Sequence, residues 1–299
     1  MIIMKRKIII LIISILSISL ASGCIGSGDD DTIVIGSKLF NEQYIVAHMA
    51  ALLLEEEGFD VDVQEGLGGT MVNFEAMKKG DIDMYLEYTG TAYNVIYKIE
   101  APTSWDVDHI YNIVEERLNT DDNVHIAASL GFRDDYAIAV KREWAEQNNV
   151  SNLTEFEAFA AEMSIGTDPE FASRQDGLPQ LFNVYGYTFG TVSQMQPTLM
   201  YEAIKNNEVD AISAYTTDAR VDIYGLVILE DDKGAFPPYD AILIVNDDAY
   251  NNAKVMEVLA MLQDIMDTDD MRALNYQYDE EKREARDIAY DFLANLGMI

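Results

Sequence analysis

Apolar and polar positions alternate along this chain with two periods. A short β-branched run in "DTIVIGSK" stops at Gly36 and reads as a strand. "NEQYIVAHMAALLLEEEG" then repeats its apolar residues at helical spacing up to Gly58, which predicts an amphipathic helix. "DVDVQEG" alternates as a strand, "GTMVNFEAMKKG" returns to the helical period, and "DIDMYLEYT" is again strand-like. The order β-α-β-α-β is that of a parallel sheet with helices on its faces. Strand and helix or loop keep alternating through "AIAVKREWAEQNNV", "MSIGTDPEF", "GLPQLFNVYGY", "LMYEAIKNNE", "VDAISAYTT", "GLVILEDDKG" and "YDAILIVND". "AKVMEVLAMLQDIMD" and "EEKREARDIAYDFLANLGMI" close the chain as helices.

One helix-turn-strand unit occurs twice. "FEAMKKGDIDMYLEYTG", from Phe74, aligns without gaps on "YEAIKNNEVDAISAYTT", from Tyr201. Glu75/Glu202, Lys78/Lys205, Asp83/Asp210, Tyr88/Tyr215 and Thr89/Thr216 coincide. The separation is far too long for a solenoid and fits two similar lobes. In open α/β sheets ligands bind beyond the carboxyl ends of the strands, where both Tyr-Thr pairs fall. Two such lobes face each other across a cleft and close by a hinge.

Charge narrows the partners. With 53 acidic residues against 20 basic ones, the formal charge is −33 over 299 residues. Nucleic acid and anionic lipid surfaces need Lys and Arg stripes and are excluded as main partners. An acidic excess spread along the whole chain is a solvated surface, suited either to high salt or simply to solubility.

The N-terminus has its own pattern. Lys5, Arg6 and Lys7 precede an apolar run from Ile8 to Leu20 that is shorter than the roughly 20 residues of a membrane span. "ASGC" follows and carries Cys24, the single cysteine. The segment resembles a prokaryotic lipoprotein signal, cleaved before a cysteine that takes lipid. The expectation is an extracytoplasmic protein held on the outer face of the cell membrane by lipid on Cys24, with a short polar tether. Cleavage would take the charge to −36 by removing three basic residues. No internal disulfide is possible with one cysteine.

Catalytic patterns do not emerge. His48, His109 and His125 lack ligand spacing such as HExxH, and neither GxSxG nor GxxxxGK[ST] occurs. No enzyme, metal or cofactor is expected. Paired carboxylates carry no signal in so acidic a chain. The 17 tyrosines carry more, because Tyr88, Tyr136, Tyr215 and Tyr239 fall at expected strand ends. Aromatic faces around a pocket attract a cation, a quaternary ammonium above all, since it offers only methyl surface. Each ring alone reads equally well as packing. Among the scarce cations, Lys38 follows the first strand and Arg174 follows the strand in "MSIGT". Together with Thr91 they can hold one carboxylate, the arginine as a fork and the lysine as a point charge; alternatively they pair with surface acids.

"IGSKLFNEQYIVAHMAALLLEEEGFDV", "EGLGGT", "GDIDMYLEYTGT", "DDYAIAV" and "AISAYTTD" together resemble the substrate-binding proteins of ABC importers for glycine betaine, proline betaine and choline. Leu39 and Asn41 depart from the "SKNFTEQ" of many relatives. The resemblance implies an α/β, two-lobed periplasmic-binding-protein fold of type II, with two hinge crossovers and the ligand in the interlobe cleft. It implies a division into a signal peptide at 1–23, a linker at 24–32, lobe 1 at 33–135 with 240–299, and lobe 2 at 136–239. It further implies a cage of Tyr88, Tyr136, Tyr215 and Tyr239, a carboxylate clamp of Lys38, Thr91 and Arg174, and Asp134 either contacting the cation or shaping the cage. The expected partners are a small quaternary ammonium ligand and an ABC permease with its ATPase, the soluble domain being monomeric. A betaine is expected before choline, because two buried cations call for a carboxylate. A choline- or carnitine-type binder and a non-transport ligand sensor are the competing readings.

Overall fold

The computed structural model describes residues 32–100, 102 and 105–299, so the expected signal segment and Cys24 lie outside the described residues. Ten strands form two five-stranded sheets. They are β1 (Ile33–Gly36), β2 (Val61–Gln64), β3 (Met84–Tyr88), β4 (Val124–Arg133), β5 (Tyr136–Lys141), β6 (Ser164–Thr167), β7 (Thr191–Gln194), β8 (Ala211–Tyr215), β9 (Leu226–Leu229) and β10 (Asp240–Asn246).

The first sheet runs β2-β1-β3-β10-β4 and the second β7-β6-β8-β5-β9. Position for position the two are the same: β1 and β6 lie parallel to both neighbours, while β10 and β5 each lie antiparallel between theirs. The sheets are therefore mixed rather than purely parallel. The reversed strand is in each case the one the chain enters from the other lobe, over residues 134–135 or 230–239. Its central place requires an apolar sequence on both faces, and Ala241 to Val245 of β10 are buried throughout.

The sequence repeat has a structural counterpart. Helix Thr70–Lys79 leads into β3 and helix Pro197–Lys205 into β8. Asp83 accepts a bond from the Val34 amide of β1 at 2.8 Å, and its counterpart Asp210 accepts one from the Ser164 amide of β6, also at 2.8 Å. The same carboxylate in the same turn locks each unit to its neighbouring strand, and it leaves Tyr88 and Tyr215 at matching strand ends.

The first long helix, Asn41–Glu56, is not amphipathic in the expected sense. Residues from Ile45 to Leu54 are buried with the single exception of His48, because helices Thr268–Asp279 and Ala285–Asn295 pack on the face the sheet does not cover. The other corrections are local. "AKVMEVLAMLQDIMD" folds as helix only over Ala253–Leu259, followed by a 3-10 turn at Ala260–Leu262, and the last helix spans Ala285–Asn295.

Candidate ligand-binding site

The crossovers gather the site. The Asp134 amide donates to the Tyr239 carbonyl at 3.2 Å, and the Tyr239 amide donates to the Asp135 carboxylate at 2.9 Å. Asp134, Tyr136 and Tyr239 are thereby fixed side by side where the chain passes between lobes. Register adds the next ring: Tyr136 on β5 stands directly opposite Tyr215 on β8. Ring centroids are 5.3 Å apart for Tyr136–Tyr215 and 5.4 Å for Tyr136–Tyr239, the latter edge to face. Tyr88 arrives from the end of β3 and stacks on Phe40 at 6.4 Å.

These rings surround a cavity of about 290 Å³. That lies at the small end of the range of about 300–1,000 Å³ usual for small-molecule sites. All eight residues singled out in the sequence (Lys38, Tyr88, Thr91, Asp134, Tyr136, Arg174, Tyr215 and Tyr239) line it. Lys38, Tyr88, Thr91, Tyr136 and Tyr239 are buried, and the other three are half-buried.

Three of the four rings are oriented by their hydroxyls. Tyr88 donates to Glu42, Tyr215 donates to Asp168 at 3.1 Å, and Tyr239 donates to Asp176 at 2.8 Å. Asp168 also caps helix Pro169–Ser173, accepting from the Glu170 and Phe171 amides. The protein's own cations lie over three of these rings: Lys38 is 4.9 Å from the Tyr88 centroid, and Arg174 is 5.5 and 5.9 Å from those of Tyr136 and Tyr239.

The cations are less free than the sequence implied. Lys38 is ion-paired with the buried Glu87, which also accepts from the Tyr85 hydroxyl at 3.0 Å and the Tyr88 amide at 2.8 Å. Burial pulls the Lys38 ammonium below its ordinary pKa, and the Glu87 charge opposes that. Arg174 donates through Nε and Nη2 to Asp176 at 2.9 and 2.6 Å, and Nη2 reaches the Thr91 hydroxyl at 3.4 Å. Lys38 therefore already has a carboxylate, and Arg174 has two, Glu170 lying 3.8 Å from Nη1. What remains for a ligand anion is the edge of the Arg174 fork beside Thr91 and the other protons of Lys38.

Thr91 owes its place to Gly90. Residues 89–91 form one helical turn immediately after β3. A Cβ on Gly90 would lie 2.6 Å from the Pro238 carbonyl and 2.9 Å from the Tyr239 ring. Close approach to the second crossover, rather than a special backbone angle, is what requires glycine there.

Several cavity residues were not singled out in the sequence: Glu42 and Asp218, although both fall inside the segments that carry the resemblance, together with Asp168, Asn275 and Arg220, whose Nη2 lies 2.5 Å from Asp218 Oδ2. Among the described residues, no group of His, Cys, Asp and Glu is arranged to hold a metal ion. Nor is any described helix long and apolar enough to cross a membrane.

Residues 31–295 match the family model described as the substrate-binding domain of ABC-type glycine betaine transport systems. The chain is 31% identical over 280 residues to a glycine-betaine-binding protein of Pseudomonas aeruginosa, covering 90% of this chain and 89% of that one. It is 28% identical to the ergothioneine transport permease/ergothioneine binding protein EgtU of Helicobacter pylori, over 90% of this chain but only 48% of that relative's length. A solved structure titled glycine betaine/carnitine/choline ABC transporter superposes with a TM-score of 0.78 at 26% identity, over 89% of this chain and 99% of that one. The chain belongs to the family of substrate-binding domains of ABC-type glycine betaine transport systems.

Proposed function

We propose that this substrate-binding protein captures glycine betaine or proline betaine outside the cytoplasm and delivers it to an ABC permease with its ATPase. The observation that carries this reading is one cavity lined by four tyrosines, with Lys38, Thr91 and Arg174 on the same wall system. The trimethylammonium group sits among the faces of Tyr88, Tyr136, Tyr215 and Tyr239, each contact contributing about 0.5–2 kcal/mol according to desolvation. Asp134 stands beside the cation. The ligand carboxylate takes the Arg174 edge next to Thr91 and the free protons of Lys38. Rings and clamp come from both lobes, so binding favours the closed cleft. Lipid on Cys24 keeps the protein at the membrane beside its permease, and the soluble domain acts as a monomer.

A second reading, choline, draws support from the pairing of Lys38 with Glu87 and of Arg174 with Asp176. A cavity whose cations are already neutralised demands a ligand anion less strongly than free cations would. Titration calorimetry of the purified protein with glycine betaine, proline betaine, choline and proline separates the two. Tighter binding of either betaine supports the clamp; choline binding as tight as glycine betaine removes it, and no binding at all removes the class of ligand.

A further inference from the structure

Two carboxyl groups, Glu42 and Asp134, line the cavity wall together. Glu42 is only 1% exposed. One of its oxygens accepts from the Tyr88 hydroxyl and the other from the Asn275 side-chain amide at 3.1 Å. Asp134 accepts from the Thr217 hydroxyl at 2.8 Å, and Asn275 donates both to Glu42 and to the Thr217 carbonyl, each at 3.1 Å, so the two carboxyls belong to one hydrogen-bonded cluster. Two carboxyls buried in one cluster with no cation paired to either do not both ionise readily, whereas a pair that keeps one proton carries a single charge. The cations nearby are taken: Lys38 by Glu87, Arg133 by Asp135, and Arg220 by Asp218. The remaining titratable groups facing the pair are Tyr88, Tyr201, Tyr215 and Asp135. Those tyrosines are pushed above their ordinary range by burial, so none supplies a charge near neutral pH.

We propose that Glu42 and Asp134 share one proton, and that the single negative charge they keep is the counter-ion of the ligand's fixed cation. Glu42 then sets selectivity for a cation over a neutral group of the same shape, acting through Asp134 and through the ring of Tyr88. The proposal rests on the quaternary-ammonium reading above for its ligand, but not for its proton. Burial pushes both carboxyls up from their ordinary range, and the charge of Glu42 pushes Asp134 further, in keeping with the geometry.

The test compares glycine betaine with 3,3-dimethylbutanoate, in which carbon replaces the quaternary nitrogen and the carboxylate is kept. A structural defect weakens both ligands alike; loss of the counter-charge weakens only the first. The expected result is a wild-type preference for glycine betaine that shrinks about tenfold or more in the uncharged double variant Glu42→Gln/Asp134→Asn. Infrared spectra of the ligand-free protein near pH 7.5 should show a protonated-carboxyl band that either single substitution removes. An unchanged preference in the double variant, or no such band in the wild type, overturns the proposal. If the wild type binds neither glycine betaine nor choline, the ligand reading fails and the infrared comparison still decides the shared proton.

Discussion

Arg174 holds Asp176 through two parallel bonds, of 2.9 and 2.6 Å, inside a cavity wall where a free guanidinium would be expected to await its ligand. Asp176 in turn accepts from Tyr239 at 2.8 Å, so the cation of lobe 2 and a ring beside the crossover are tied through one carboxylate. In the betaine reading proposed above, the ligand's anion competes with Asp176 for the guanidinium or uses the edge that Asp176 leaves. Asp176→Asn keeps the shape and removes that competition. Its expected effect is a rise in the glycine betaine to choline affinity ratio of about tenfold, read by calorimetry.

Arg174→Ala works in the opposite sense. Its expected effect is a loss of at least tenfold more affinity for glycine betaine than for choline. Equal losses would remove Arg174 from the clamp. The variant also strands Asp176, whose side chain is 1% exposed, at a cost of about 3–5 kcal/mol, so binding must be measured well below its lowered melting temperature.

Tyr136 and Tyr215 face one another across the β5–β8 ladder, with ring centroids 5.3 Å apart. Alanine at either position removes a ring face and is expected to weaken betaine binding by about 0.5–2 kcal/mol. Phenylalanine at Tyr136 keeps the face and is expected to keep most of the affinity. Phenylalanine at Tyr215 also gives up the bond to Asp168, and its loss is expected to fall between the two.

Gly90→Ala places a methyl 2.6 Å from the Pro238 carbonyl. Overpacking of this kind costs about 1–3 kcal/mol, which for a domain of this size lowers the melting temperature by several degrees. Because the displaced turn carries Thr91 and the displaced ring is Tyr239, betaine affinity falls as well. A full-stability variant with normal affinity would contradict the close approach described here.

Asp279 links the lobes near the cavity mouth, accepting from Asn41 at 2.9 Å and lying 4.0 Å from Arg220. Burial raises its carboxyl from 3.8 to about 6, with Arg220 opposing the shift. In the unfolded chain it ionises at its ordinary value, so between about pH 4 and 6 the folded protein binds the extra proton. This group's contribution to stability is therefore largest below pH 4 and is lost as the pH rises through 6. Asp279→Asn lacks that loss. Chemical denaturation should show the variant gaining stability relative to wild type on going from pH 4 to 7, and a constant difference would rule out the shift.

The fold was legible where side-chain pattern and turn chemistry agree. The β-branched strands, and the repeated turn whose Asp83 and Asp210 make the same strand contact, read directly from the sequence. The long strand β4 did not stand out, because "VHIAASLGFR" mixes small and polar residues with its apolar ones. Helix Thr268–Asp279 was equally silent: it buries only Met271, Leu274 and Asn275 within a polar sequence. Yet that helix brings Asn275 to Glu42. The basic and aromatic members of the site were legible because such residues are scarce or fall at strand ends. Of its acids only Asp134 was singled out, through the resemblance; Glu42 and Glu87 fall inside the quoted segments, but among 53 carboxylates nothing in spacing or charge assigned them or Asp176 a role. Only the three-dimensional pairing shows that Lys38 and Arg174 come with their own counter-ions, which weakens the argument from unpaired charge and leaves the rings as the stronger evidence.

The rings make the most direct test. Glycine betaine, dimethylglycine, sarcosine and glycine share one carboxylate and differ only in the methyl groups that the cage would hold. Dissociation constants measured by calorimetry on the purified protein should rise at each methyl removed, with glycine weaker than glycine betaine by at least about a hundredfold. Glycine binding as tightly as glycine betaine would contradict a cage built from Tyr88, Tyr136, Tyr215 and Tyr239.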